Sequence, residues 1–183
     1  MSADSPFPIL QTKRLVLRQL TTSDSKSWSR NLSNHEITGL IGMDPLETAE
    51  EIEEIIDSFA DRFREGTGIA WAITLKATSE FIGTCSYESI NEEKQVGEIG
   101  YDLLREYWGL GFMTEALKAI IDYGFEQLGL KRIEANTDPA NAASRSLLER
   151  LGFNAEGTFR ESASFAGEFG DDIHYALRRR NEI

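Results

Sequence analysis

The hydrophobic pattern of this chain changes its period sharply after residue 103, and that change limits the folds that the chain can adopt. In residues 69–76, large apolar side chains at every second position alternate with alanine or polar residues, and strand-like segments follow at 81–89 and 96–103. From Met113 to Leu128, apolar residues recur at three- and four-residue steps, as in an α-helix. Strands joined by short polar turns predict an antiparallel meander, and the helix that follows it predicts a mixed α/β domain.

Further elements flank this central part. The pattern predicts a strand at 14–18, a helix at 24–32, a loop at 39–45, a helix at 48–64, a strand at 132–137, a helix that ends at Gly152, and strands at 153–160 and 171–178 joined by a Gly-rich loop. The order of these elements predicts one mixed sheet with helices packed on it.

The size and charge of the chain narrow the class of protein. A chain of 183 residues fits a single domain, here residues 1–183, and its one cysteine allows no disulfide within the chain. The net charge of −12 argues against binding to nucleic acid. It is compatible with cationic partners such as amines or basic proteins, but the favoured interpretation is that an acidic surface keeps the protein soluble. We find no secretory signal and no apolar run of the roughly 18 residues that a membrane span needs. We therefore expect a cytoplasmic protein without membrane segments.

The segment Glu106–Ala116 lies between a predicted strand and the long helix. Gly109 and Gly111 allow the backbone to turn and expose its amides, and the start of the helix adds free N–H groups and a positive dipole end. A P-loop is excluded because no Gly-Lys-Ser/Thr follows, and a dinucleotide fingerprint is excluded because Thr114 occupies the position of its third glycine. The segment predicts a pyrophosphate site, although a purely structural turn is the alternative.

The joint order of several short motifs resembles the GNAT superfamily, and within it the RimJ/RimL-like branch. The motifs are Gln11–Arg18, Phe81–Gly83, Gly97–Tyr101, Trp108–Gly111, Thr114–Ala116, Asn141–Ser144, Leu151–Phe153 and Asp171–Asp172. The resemblance covers about residues 11–179. It implies a GNAT-like α/β fold, with a mixed, mostly antiparallel central sheet flanked by helices on both faces. It also implies that two central strands splay apart to admit the pantetheine arm.

By this resemblance, the chain is expected to be an N-acetyltransferase that moves an acetyl group from acetyl-CoA to a primary amine. The amine would attack the thioester directly, and no metal would be needed. The acceptor is either a protein N-terminal amine or a small amine. Alternatives are a CoA-binding sensor or partner module without turnover, and an enzyme for longer acyl groups. A homodimer is compatible with the resemblance.

The resemblance also assigns the residues that would hold the cofactor. They are Ile99, Gly109, Leu110, Gly111, Phe112, Met113, Thr114, Asn141 and Ser144. The backbone amides of 109–114 would bind the pyrophosphate, and the Asn141 amide would contact the pantetheine arm. An N-cap is the structural alternative for Asn141.

Two residues are candidates for proton transfer. The resemblance suggests that Ser144 protonates the departing thiolate, whereas a hydroxyl in a helix commonly bonds to the backbone. Glu98 would act as the base that deprotonates the amine or orients it, and the alternative is an exposed strand carboxylate. Leu148 occupies the position of a tyrosine acid found in many superfamily members, so that role is absent here.

The remaining reactive side chains are expected to be structural. Cys85 has no histidine near it in sequence, so a covalent acyl-cysteine route is the less favoured alternative. His35 and His174 lie too far apart for a metal-binding motif. Glu106 stands where the superfamily often has Gln or Arg, which removes one cationic contact from the loop.

Overall fold

The computed structural model describes residues 6–41, 43–163 and 169–179. Its helices are α1 (Ser25–Leu32), α2 (His35–Leu40), α3 (Ala49–Glu65), α4 (Phe112–Glu126) and α5 (Ala142–Arg150). Its strands are β1 (Leu10–Gln11), β2 (Leu15–Gln19), β3 (Ile69–Leu75), β4 (Phe81–Asn91), β5 (Val96–Leu103), β6 (Arg132–Thr137), β7 (Asn154–Ala163) and β8 (Phe169–Arg178).

The strands form one sheet in the order β1-β2-β3-β4-β5-β6-β8-β7. Neighbouring strands are antiparallel except β5 and β6, which run parallel. The parallel pairing joins only Val96, Gly97 and Glu98 to residues 132–134, although β5 continues to Leu103. The sheet therefore parts between the last residues of β5 and β6. The predicted mixed, mostly antiparallel sheet is confirmed.

A separate apolar core lies on each face of the sheet. Under α4 and α5, the largest cluster includes Trp71, Tyr87 and Leu117, all fully buried. On the opposite face, Trp28 and Ile52 of α1 and α3 pack in a second cluster that also contains residues of β3. Burial on both faces explains why every residue of β3 except the last is buried. The prediction of helices on both faces is confirmed.

The ends of the long helices follow the signals in the sequence. Thr48 and Glu51 form a capping box at the start of α3, and Gly66 ends that helix in the left-handed conformation, with φ of 76°. The Thr48 side chain satisfies a free backbone N–H at the start of α3, and the backbone N–H of Gly66 satisfies free carbonyls at its end. Both ends of α3 are therefore determined by residues close to them in sequence.

Several predicted boundaries need correction. The predicted loop at 39–45 is partly wrong, because α2 includes Gly39 and Leu40. This helix has only six residues, too few to show a helical period. It depends on its cap, in which the side-chain Oδ1 of Asn34 accepts from the backbone N–H of Glu36 at 2.9 Å. Strand β1 was not predicted, and β2 begins one residue later than expected. Part of the predicted Gly-rich loop, residues 164–168, lies outside the described residues.

Candidate active site

A cavity of about 440 Å³ opens beside the parted strands. It lies among the end of β5, the segment that leads into α4, the first turns of α4 and α5, and α2. Its lining includes seven of the nine predicted cofactor residues: Gly109, Gly111, Phe112, Met113, Thr114, Asn141 and Ser144. Residues that are far apart in sequence are thus brought to one cleft.

The loop before α4 has the backbone that an anion site needs. Gly109 and Gly111 have φ of 74° and 78°, in the left-handed region that favours glycine. Gly111 is the N-cap of α4 and offers no side-chain cap, so the amides of the first turn have no side chain as an acceptor. A Cβ at Gly109 would meet nothing within 4 Å, which leaves room for a ligand. These features fit the binding of a pyrophosphate.

Arg14 braces this loop, a role that the sequence reasoning missed. Its Nη1 donates to the Leu110 carbonyl at 2.9 Å, and its Nε donates to the Glu115 carboxylate at 2.7 Å. The guanidinium also lies over the Phe112 ring, 4.2 Å from its centroid. Arg14 belongs to the N-terminal motif quoted above, but a sequence shows no contact that spans 96 residues.

Leu110 and Ile99 lie outside the lining of the cavity. The Leu110 side chain is 55% exposed, and its carbonyl is the acceptor for Arg14. Ile99 is buried in the core on the α4 side of β5. A contact of these two residues with the cofactor stays a prediction.

Ser144 pairs with a tyrosine rather than with the backbone. Its hydroxyl lies 2.8 Å from the hydroxyl of Tyr101 of β5, and both residues line the cavity. The Ser144 amide donates to the Asn141 side chain at 3.0 Å, so Asn141 is the N-cap of α5. The side-chain Nδ2 of Asn141 donates to the Leu40 carbonyl at 3.1 Å, and this hydrogen bond connects α5 to α2.

Glu98 lies where the two strands part, on the face opposite Tyr101. Asn136 of β6 donates to its carboxylate at 2.7 Å. The side-chain Oδ1 of Asn136 lies 2.9 Å from Nδ1 of His174. Nε2 of the same ring lies 3.2 Å from the Arg132 guanidinium and 3.5 Å from the Glu134 carboxylate. His174 is therefore part of a hydrogen-bonded chain that holds Glu98.

Glu98 and His174 are not among the residues that line the cavity, and neither are the remaining reactive side chains. Cys85 is fully buried, and burial, together with the nearby Asp102 carboxylate, raises the pKa of its thiol well above the usual range. A thiol in that state is not activated as a nucleophile. Leu148 is fully buried, His35 is exposed at the start of α2, and the Glu106 carboxylate pairs with Arg30.

Among the described residues, no group of three or more His, Cys, Asp or Glu side chains is placed to hold a metal ion. No described helix has both the length and the apolar character to cross a membrane.

The sheet parts beside a helix-terminal anion site, with a carboxylate on one face and hydroxyls on the other. This arrangement suits a transferase that uses a phosphate-bearing donor. Comparison with known proteins agrees. Residues 14–154 match the model of the acetyltransferase (GNAT) domain, and the chain belongs to that family. The predicted family is confirmed, and the protein is an N-acetyltransferase with acetyl-CoA as its donor.

Individual relatives support this assignment. YoaA of Bacillus subtilis (strain 168), an uncharacterized N-acetyltransferase, is 39% identical over 96% of this chain and 99% of its own length. The [ribosomal protein uS5]-alanine N-acetyltransferase of Escherichia coli (strain K12) is 30% identical, over 62% of this chain and 59% of its own. RimJ of Mycobacterium smegmatis, solved with CoA-disulfide, has the same fold, with a TM-score of 0.82 at 24% identity over 92% of this chain and 83% of that one.

Proposed function

We propose that this N-acetyltransferase transfers the acetyl group directly to the α-amine of a protein N-terminus, with Glu98 as general base and Ser144 as general acid. The observation that carries the proposal is the arrangement along β5. Glu98 and Tyr101, the partner of Ser144, lie on opposite faces of this strand at the point where the sheet parts. A base and an acid on the two sides of one gap suit an amine and a thioester that meet within it.

The chemistry assigns a task to each side. An ammonium group has no lone pair, so it must lose a proton before it can attack a thioester. The Glu98 carboxylate, oriented by Asn136 at 2.7 Å, would take that proton directly or through water. On the other side, Ser144 would give a proton to the departing thiolate. A backbone amide would stabilise the tetrahedral intermediate.

The face of the sheet that carries Glu98 suits a cationic acceptor group. Glu88 lies on the same face as Glu98, and its carboxylate lies directly over Gly100. The Glu88 residue as a whole is exposed, but its carboxylate is partly removed from water. This desolvation and the nearby Glu98 carboxylate raise the pKa of Glu88, and Arg62 opposes the increase. An ammonium group between two neighbouring carboxylates would offset their mutual repulsion. The activity named for the uS5-alanine relative of Escherichia coli favours a protein N-terminus as the source of that ammonium.

The test compares two peptides of identical sequence that contain a lysine, one with a free N-terminus and one with a formyl-blocked N-terminus. Spermidine serves as the small-amine arm. Thiol release from acetyl-CoA is followed, and mass spectrometry locates the acetyl group. We expect turnover with the free peptide, because an α-amine with a pKa of about 8 is more readily deprotonated than a lysine with a pKa of about 10.4.

Each other outcome contradicts a defined part of the proposal. Turnover only with spermidine or only on lysine would exclude the N-terminal acceptor. Acetyl-CoA binding without release from any amine would favour the sensor alternative. The variant Glu98→Gln keeps the hydrogen bond from Asn136 but not the base. It should lower kcat by about 10²- to 10⁴-fold, and an unchanged kcat would exclude Glu98 as the base.

A further inference from the structure

The Tyr101 and Ser144 hydroxyls form a pair within the cavity. Tyr101 comes from the middle of β5 and Ser144 from the first turn of α5, and their oxygens are 2.8 Å apart. Within the part of the chain that the structure describes, neither hydroxyl has another hydrogen bond. Each hydroxyl thus keeps two of its three hydrogen-bonding positions for other partners, and both residues line the cavity.

We propose that these two hydroxyls form a proton relay, in which Tyr101 is a positioning residue that acts through Ser144. The inference rests on the proposed role of Ser144 as the acid. When Tyr101 donates to the Ser144 oxygen, the Ser144 proton is directed away from Tyr101 and toward the cavity. A serine without this partner rotates freely among its staggered positions and has no reason to point its proton at the sulfur.

The relay balances as two proton shifts. The C–S bond of the tetrahedral intermediate breaks and its electron pair goes to sulfur. The Ser144 proton moves to that sulfur and gives the free thiol. The Tyr101 proton moves to the Ser144 oxygen, and the tyrosinate that remains takes a proton from water in the open cavity. The relay removes the need to leave an alkoxide on Ser144, which is a far weaker acid than a phenol.

The surroundings of Tyr101 keep its proton available. Burial raises the pKa of Tyr101 to about 12, the hydrogen bond between Tyr101 and Ser144 opposes this increase, and the nearby Tyr175 adds to it. The phenol is therefore fully protonated at neutral pH. No charged group pairs with it among the described residues, so its proton can move only along the hydrogen bond to Ser144 or to water.

The test compares Tyr101→Phe, Ser144→Ala and the double variant, with Tyr87→Phe as a matched control. Tyr87 is also a buried strand tyrosine, but its hydroxyl donates to the Ile120 carbonyl at 2.8 Å and does not line the cavity. We expect Tyr101→Phe to lower kcat about 10- to 100-fold, within the range of general-acid effects, while the KM for acetyl-CoA changes little. The double variant should be no slower than Ser144→Ala, because a relay fails as a unit. Tyr87→Phe should keep kcat.

The possible results separate this inference from the proposed function. If Ser144→Ala is slow but Tyr101→Phe is normal, the relay is overturned and the acid role of Ser144 stands. If both keep full kcat, the acid role fails as well. If the kcat losses of the two single variants multiply in the double variant, or if KM rises as kcat falls, the relay is overturned and Tyr101 has only a packing role. Should Tyr101→Phe fail to fold, kcat of the unmodified enzyme in H2O/D2O mixtures decides: a curved dependence supports two moving protons, and a linear one contradicts them.

Discussion

The carboxylate of Asp102 is buried and pairs with no cation among the described residues, and its removal should destabilise the fold strongly. It accepts hydrogen bonds from Trp28 Nε1 at 3.1 Å, from Asn31 Nδ2 at 2.6 Å and from the Thr84 hydroxyl. These contacts connect α1 to β4 and β5. Asp102→Ala would leave three donors, all in buried residues, without that acceptor.

The expected magnitude follows from those donors. Each buried donor left without a partner costs about 1–3 kcal/mol, and water that enters the vacated space recovers part of it. We expect a loss of about 3–6 kcal/mol, a large part of the roughly 5–15 kcal/mol that stabilises a typical domain. Urea unfolding followed by circular dichroism should show a lower midpoint at an unchanged slope. A loss below about 1 kcal/mol would refute the reasoning.

Asp102→Asn is the matched control and also tests the charge. The Asn31 amide can flip and the Thr84 hydroxyl can rotate, so this variant should lose less than Asp102→Ala. Burial raises the pKa of Asp102, although hydrogen bonds from Thr84, Asn31 and Trp28 oppose it. The folded state then binds the proton more tightly than the unfolded state, so stability falls as pH rises from about 3.9 through the folded pKa. The advantage of the wild type over Asp102→Asn should narrow as pH rises, and a widening advantage would contradict this.

Substitutions at three further positions test the loop and the core. Gly111→Glu should abolish acetyl-CoA binding in calorimetry, since it places a carboxylate at the pyrophosphate site. Gly111→Ala should only weaken binding, because it adds backbone strain without a charge. Equal acetyl-CoA affinities of the two variants would contradict the loop assignment. Arg14→Leu should weaken acetyl-CoA binding about tenfold because the Leu110 carbonyl loses its donor, and an unchanged Kd would exclude this bracing role. Gly124→Ala should cost about 1–3 kcal/mol on urea unfolding because its Cβ would overlap the Tyr87 hydroxyl, and Tyr87→Phe in the same chain should recover part of that loss; no recovery would contradict the overlap.

Much of the fold and one side of the site could be predicted from the sequence because those features are local. The two glycines at 109 and 111 and the helix after them are consecutive, so their combined backbone and dipole can be read directly. Asn141 and Ser144 stand at the spacing of a helix cap, and the structure has that cap. The family, the fold, the enzyme class and acetyl-CoA as donor are confirmed. The single domain, the homodimer and the cytoplasmic location stay predictions.

Only the tertiary structure determines which side chains support the candidate residues. Tyr101 and Ser144 are 43 positions apart, Asn136 and Glu98 are 38 apart, and Arg14 reaches Leu110 across 96. Each contact depends on the register of the sheet, on the parallel pairing of β5 and β6 that ends at Glu98, or on how α4 and α5 pack against it. Periodicity indicates which face of a strand a residue occupies, but not which residue of another element lies opposite it, because that choice is made by packing across the whole sheet.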